Sequence, residues 1–131
     1  MLKGHEEKII AKYGEMDLAD KFFPPTLILE PDQNTQIMKE EIFAPLLPIY
    51  AYESPLEVIK TIQAGARPLA VYYYGDPKSI VRQRIEESTY SGSFVVNDSV
   101  VQFACNSLPF GGIGDSGYGT THGHNGKPSR S

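Results

Sequence analysis

The 131-residue chain is long enough for one compact domain and hardly for two, and the core it can build is modest. Its 40% hydrophobic and 21% charged residues are those of an ordinary globular protein, and a formal net charge of -4 leaves no basic footprint for nucleic acid or an anionic membrane. One cysteine, Cys105, rules out an intrachain disulfide, and no apolar run is long enough for a signal peptide or a membrane span, so a cytoplasmic or organelle-matrix protein without a membrane anchor is expected.

Residues 1–21 are polar and mixed in charge, with weak helical character around "EEKIIAKYG". "FFPPT" (22–26) interrupts regular structure, because two prolines fix φ and remove two backbone donors. "TLILE" (26–30) reads as a short buried strand and "PDQNTQ" as its exit loop. "LLPIYAYE" (46–53) suits another strand. In "SPLEVIKTIQAG", Ser54 stands as N-cap, Pro55 at the first helical position and Glu57 three residues after the cap. Leu56, Val58, Ile59 and Ile62 form its apolar face, and Gly65 lies just past its end. "PLAVYYYG" (68–75) predicts the next strand. "DPKSIVRQRIEEST" then predicts a helix capped by Asp76 and opened by Pro77, with Ile80, Val81 and Ile85 facing inward. "GSFVVND" (92–98) predicts a further strand.

The order over residues 46–98 is therefore β-α-β-α-β. Its continuous apolar strands and intervening helices predict an α/β fold with a parallel unit and right-handed crossovers. A glycine-rich, irregular segment follows over 109–131.

That segment holds two well-known patterns at once in "PFGGIGDSGYG". Gly112-Ile113-Gly114-Asp115-Ser116-Gly117 spells the GxGxxG of dinucleotide-binding folds, but a working copy follows a strand and opens a helix. Here "YGTTHGHNGKPS" follows, with no apolar periodicity and with helix breakers at Gly119, Gly123, Gly126 and Pro128. Gly114-Asp115-Ser116-Gly117 spells the serine-protease GDSG, yet only His5, His122 and His124 are available as base, two of them on the same loose segment. The glycines are better read as permitting a tight turn with positive φ angles. His122 and His124 alone make an incomplete metal site, so no metal is expected. Cys105, with apolar flanks that would raise a thiol pKa, reads as a small buried side chain.

"MKEEIFAPLLPIY" places Glu40 and Glu41 directly before Ile42 and Phe43. Two readings stand. The pair forms a solvated acidic turn, or a carboxylate beside a phenylalanine grips a ribose, accepting both hydroxyl protons while the ring packs on a flat heterocycle.

"PPTLILE", "IMKEEIFAPLLPIYAY", "PLAVYYYG", "SGSFVVND" and "NSLPFGGIGDSGYGTTHG" resemble, in that order, the C-terminal part of the catalytic domain of an aldehyde dehydrogenase. "VVNDSVVQFACNSLPFGGIGDSGYG" is most similar to the class 3, fatty-aldehyde branch, and the resemblance runs from about residue 5 to about residue 126. It implies an enzyme that oxidises aldehydes to carboxylic acids with NAD or NADP. It also implies that residues 1–131 are a partial catalytic domain, with possible assembly into a homo-oligomer.

By the same resemblance Glu41 would hold the nicotinamide ribose and Phe43 would pack near the nicotinamide, while Asn97 and Phe110 would border the aldehyde pocket. The chain departs from the family where Ala44 replaces a glycine in Glu41-Ile42-Phe43-Ala44-Pro45, a strain if that position has positive φ. It also lacks matches to the nucleophilic cysteine, general-base glutamate and cofactor-domain blocks. No catalytic residue is therefore assigned, and Cys105 does not inherit the nucleophile's role. Two functions follow: a C-terminal fragment of the enzyme, inactive alone, or a non-catalytic remnant serving as a binding or assembly module. A small hydrolase resting on Ser116 is a remote third.

Overall fold

The computed structural model describes residues 6–121. The chain divides into two compact units, Met1–Ala51 and Tyr52–Ser131.

The first unit is a three-stranded sheet in the order β1 (Ile9–Lys12), β2 (Thr26–Leu29), β3 (Leu46–Ile49). β1 runs antiparallel to β2 with an irregular register between Ile9 and Ala11, and β3 runs parallel to β2 from Thr26↔Leu46 to Leu29↔Ile49. A four-residue helix, α1 (Gln36–Lys39), lies on the connection between the parallel pair. The helical character expected near "EEKIIAKYG" is not realised beyond a short 3-10 turn at Glu6–Lys8. The β-branched pair Ile9-Ile10 starts a strand whose alternating burial follows a period of two.

β2 is central, so its inward residues are the most completely covered. Ile28 is fully buried and packs with Ile37 of α1 and Leu46 of β3, with Phe23, Met38 and Ile42 around them. Buried Thr26 is satisfied by donating its hydroxyl to the Pro24 carbonyl at 2.8 Å.

The second unit carries α2 (Pro55–Ala64), β4 (Ala70–Tyr73), α3 (Ile80–Ser88), β5 (Ser93–Val96), α4 (Val101–Ala104), β6 (Phe110–Gly111) and β7 (Thr120–Thr121). β4 and β5 pair in parallel from Ala70↔Ser93 to Tyr73↔Val96, and β6 pairs antiparallel with β7. Ile59 of α2 and Ile85 of α3 supply the buried apolar side chains. The α/β class, the parallel pairings and the chain order over 46–98 are as the sequence predicts. The strands of that stretch nevertheless fall in two sheets: β3 pairs with β2, and β4 pairs with β5. Chain order does not encode partner choice, and β2, itself a continuous apolar strand, is the neighbour β3 takes.

The helix starts show which capping signals act. Ser54 caps α2, its hydroxyl accepting from the Leu56 N–H at 3.3 Å with Pro55 as the first helical residue. The Glu57 carboxylate reaches back to the Glu53 N–H at 3.1 Å, one residue earlier than the cap. Gly65 closes α2 in an extended conformation, not a left-handed one. The cap of α3 is Ser79, not Asp76. Asp76 instead accepts from the Lys78 N–H at 2.9 Å in an Asx turn, so the helix opens at Ile80 rather than Pro77. Ile80, the first residue of α3, is 60% exposed, and Leu56, in the first turn of α2, is 56% exposed, contrary to the inward placement expected of both.

Candidate functional site

Glu41 and Phe43 lie on the irregular run that leads from α1 into β3. Glu40 ends α1 in an extended conformation, and its carboxylate accepts from Gln36 Nε2 at 2.9 Å, one helical turn back. From there the backbone alternates. Ile42 turns inward onto the Ile28, Ile37 and Leu46 cluster, which sends its neighbours outward. Phe43 is 92% exposed, and Glu41 is exposed with no hydrogen bond or ion pair to its carboxylate among the described residues. The run is tied at its far end, where the Pro45 carbonyl accepts from the Thr26 N–H at 2.9 Å. Ala44 is not among the residues with positive φ, so its methyl brings no backbone strain. The two adjacent acids therefore differ: Glu40 is engaged, and Glu41 has its acceptors free.

Asn97 terminates the β4–β5 ladder. Its backbone is left-handed, φ +57°, a conformation asparagine tolerates better than most residues. That turn lets the side-chain amide clasp the exit of β4: Oδ1 accepts from the Gly75 N–H at 2.8 Å and Nδ2 donates to the Gly75 carbonyl at 2.9 Å. The Asn97 N–H donates to the Tyr73 carbonyl at 2.7 Å. The amide thus adds one more rung where the backbone ladder stops.

Phe110 sits on β6, half-buried, its ring edge-on to Phe103 of α4 at 5.3 Å between centroids. Its neighbour Gly111 abuts Gly92, where a Cβ would come within 2.3 Å of the Gly111 carbonyl oxygen. β6 therefore lies beside the start of β5, whereas Asn97 closes the end of β5. Glu41 and Phe43 share one run of the first unit; Asn97 and Phe110 belong to the second and share no hydrogen bond or ring contact.

The glycine-rich patterns resolve into a turn. Residues 114–116 form a single 3-10 turn between β6 and β7, with no helix to receive a pyrophosphate. Gly114 has φ +60°, and a Cβ on Gly112 would strike the Ser116 carbonyl oxygen at 2.1 Å. The Ser116 hydroxyl donates to the Arg67 carbonyl at 2.7 Å, a structural tie and not a nucleophile's arrangement. His5, His122 and His124 lie outside the described residues.

Cys105 is half-buried rather than buried, and it shares a 3.2 Å hydrogen bond with the Ser107 hydroxyl. That bond, reinforced by the Ser107 and Leu108 N–H groups and opposed by partial burial, holds its pKa below the ordinary thiol value. The apolar flanks pointed the other way. A shallow cleft of about 210 Å³ between the ends of α2 and α3, where the Arg67 guanidinium lies 5.6 Å over the Tyr90 ring, contains none of the four candidate residues.

Sequence reasoning missed four side chains that anchor the segment after β5. Gln102 Nε2 donates to the Tyr72 hydroxyl at 2.8 Å, and the Tyr74 and Ser99 hydroxyls share a 2.6 Å bond. The available signal was the two-residue spacing of Tyr72 and Tyr74, which puts both on one side of an extended chain.

The chain matches the model of the aldehyde dehydrogenase family over residues 3–128. Aldehyde dehydrogenase family 3 member A2 of Mus musculus is 42% identical over 123 residues, covering 94% of this chain and 25% of the relative. Among solved structures, the substrate-bound state of Staphylococcus aureus AldH superposes with a TM-score of 0.84 at 34% identity, over 93% of this chain and 26% of that one. A betaine aldehyde dehydrogenase variant from Staphylococcus aureus in complex with NAD+ superposes with a TM-score of 0.75 at 29% identity, over 90% of this chain and 24% of that one. The chain spans about a quarter of the length of the curated relatives it matches, between 23% and 25% for three of them.

Proposed function

This chain belongs to the aldehyde dehydrogenase family, and on that premise we propose that it is the C-terminal part of the catalytic domain of an NAD- or NADP-dependent enzyme of the cytoplasm that oxidises fatty aldehydes to acids. Within that enzyme Glu41 and Phe43 form one half of the nicotinamide-riboside grip, and Asn97 and Phe110 belong to the wall of the aldehyde tunnel. The chain supplies neither nucleophile nor general base.

The observation that carries the reading is the contrast around Ile42. A core-locked isoleucine holds an uncommitted carboxylate and a 92% exposed phenyl ring outward on either side of it. Leaving a phenyl ring in water forgoes roughly 1.5–3 kcal/mol of burial, so an outward ring on an anchored run fits a surface that a flat partner covers. A ribose diol offers two hydroxyl donors to the Glu41 oxygens, and a nicotinamide ring offers a face to Phe43. A nicotinamide bound there supplies the hydride acceptor. Glu41 would hold the ribose hydroxyls and Phe43 would pack near the nicotinamide, while Ile42, packed on the core, keeps both side chains outward.

The test uses an aldehyde dehydrogenase whose subunit carries this segment. A hydrogen bond to a charged group contributes about 1.5–3 kcal/mol, so Glu41→Gln is expected to lower kcat/KM for the dinucleotide by roughly ten- to a hundredfold. Glu40→Gln is the control, because its amide can still meet Gln36 and Glu40 already has a partner. Equal loss, or none, in the two variants would mean an acidic turn that only meets water.

A further inference from the structure

Tyr72 of β4 and Tyr74, one residue past the end of that strand, lie two residues apart, and both hydroxyls reach across to the segment that follows β5. Tyr74 meets Ser99 and Tyr72 meets Gln102, so the two bonds bracket Val100. Val100 has φ +68°, the left-handed region that a β-branched residue rarely enters. Such a conformation is strained and persists only where the surroundings over-determine it. The bracket is that over-determination, with the Asn97 clasp on Gly75 fixing the segment's start.

Gln102 makes the arrangement one-sided. Its Oε1 is buried without a partner among the described residues, so the Tyr72 hydroxyl is the one anchor for that amide. One residue further on, Phe103 meets the Phe110 ring edge-on, 5.3 Å between centroids and 82° between planes. The chain of contact runs from Tyr72 and Tyr74 through the turn of α4 to the ring assigned above to the tunnel wall.

We propose that Tyr72 and Tyr74 are positioning residues for the aldehyde wall, setting the place of Phe110 through Ser99, Gln102 and Phe103. The proposal rests on the role given to Phe110 in the proposed function. The hydroxyls act by geometry alone. They touch no reacting atom, and phenylalanine at either position retains the ring's packing while removing the hold.

The experiment uses the full 131-residue chain, with NMR on selectively labelled phenylalanines and amide hydrogen exchange. In Tyr72→Phe/Tyr74→Phe the cross-peak between the Phe103 and Phe110 rings is lost, and amides 99–104 exchange about tenfold faster while those of β4 and β5 keep their protection. A general loss of stability would speed exchange in β4 and β5 as well, so the pattern separates positioning from support. Should the double variant not fold, Tyr74→Phe decides alone: it deletes one oxygen from a side chain 64% exposed and leaves the Tyr72 bond in place. An unchanged cross-peak with unchanged exchange at 99–104 in the folded variant overturns the proposal. No aldehyde or dinucleotide enters this measurement, so it can fail while the Glu41 result stands, and the converse.

Discussion

Cys105 is the one thiol in the chain, and its surroundings set its chemistry more than its neighbours in sequence do. Valine, phenylalanine and alanine before it suggest an apolar setting that would keep the thiol protonated. In the fold the Ser107 hydroxyl and N–H point at the sulfur, and donors aimed at sulfur favour the thiolate. The sign follows directly: stabilising the charged form lowers the pKa, so reactivity appears at lower pH than for an ordinary thiol. Alkylation by iodoacetamide followed across pH is expected to show a midpoint below that of a free cysteine, and Ser107→Ala should move it upward. An unmoved midpoint in that variant would show that Ser107 is not the cause. The same limit on legibility holds at Glu40 and Glu41. Both are acidic, adjacent and exposed, and apart from the family motif that begins at Glu41 their residue type and local context do not separate them. The bond from Gln36 does, because it depends on α1 forming, which the turn-rich "PDQNTQ" did not announce.

At the scale of elements, what could be read was local. The continuous apolar runs of β2 to β5, the Ser54-Pro55 start of α2 and the turn at Gly112–Gly117 are all decided locally and stand in the structure, whereas the weak helical character near "EEKIIAKYG" gives way to a strand. Pairing is not local, and β3 illustrates it: its apolar run specifies a buried strand without specifying β2 as its neighbour. The cap of α3 is ambiguous in sequence because Asp76 and Ser79 both suit that role, and in the fold Asp76 is taken up by an Asx turn on Lys78. Asn97 is the most informative case. It follows "FVV" as the plain end of a strand, yet its left-handed backbone lets a side chain continue the ladder to Gly75. Asn97→Ala removes both side-chain bonds and places a Cβ-bearing residue in αL without compensation. The expected cost is about 1–2 kcal/mol in urea unfolding, moderated because Gly75 is exposed and water can replace the amide. Asn97→Gly loses the same bonds but not the backbone tolerance, and should be the milder of the two. If glycine is as costly as alanine, the left-handed turn contributes nothing and the clasp alone matters.

For the whole molecule, the balance of covered and uncovered apolar surface is the governing fact. Among the described residues five hydrophobic side chains are buried, whereas twenty-one large ones are exposed, including Leu18 at 80%, Phe43 at 92% and Tyr118 at 101%. Parallel strands are found almost wholly in sheets covered on both faces, and two-stranded sheets are marginal by themselves. The β4–β5 pair has the first character and the second size. Both features fit the proposed reading, in which these residues belong to a larger catalytic domain. The resulting prediction is that the 131-residue chain, made alone, oxidises no aldehyde. Aldehyde oxidation by this family's chemistry needs a thiolate that attacks the carbonyl, a base that activates water and a dinucleotide held from both sides. On the proposed reading the chain offers the carboxylate of Glu41 and the ring of Phe43 for the dinucleotide, and its one thiol, Cys105, does not match the family's nucleophile block. Positioning without a nucleophile leaves the hardest step uncatalysed. Incubated with hexanal and NAD, the purified chain should produce NADH no faster than a heat-treated control. The same sample should bind NAD immeasurably weakly, since one side of a grip recovers little of the several kcal/mol lost when a ligand's motion is frozen. NADH formation above the control would overturn the fragment reading. Measurable NAD binding that Glu41→Gln abolishes would show instead that the grip is complete within these residues.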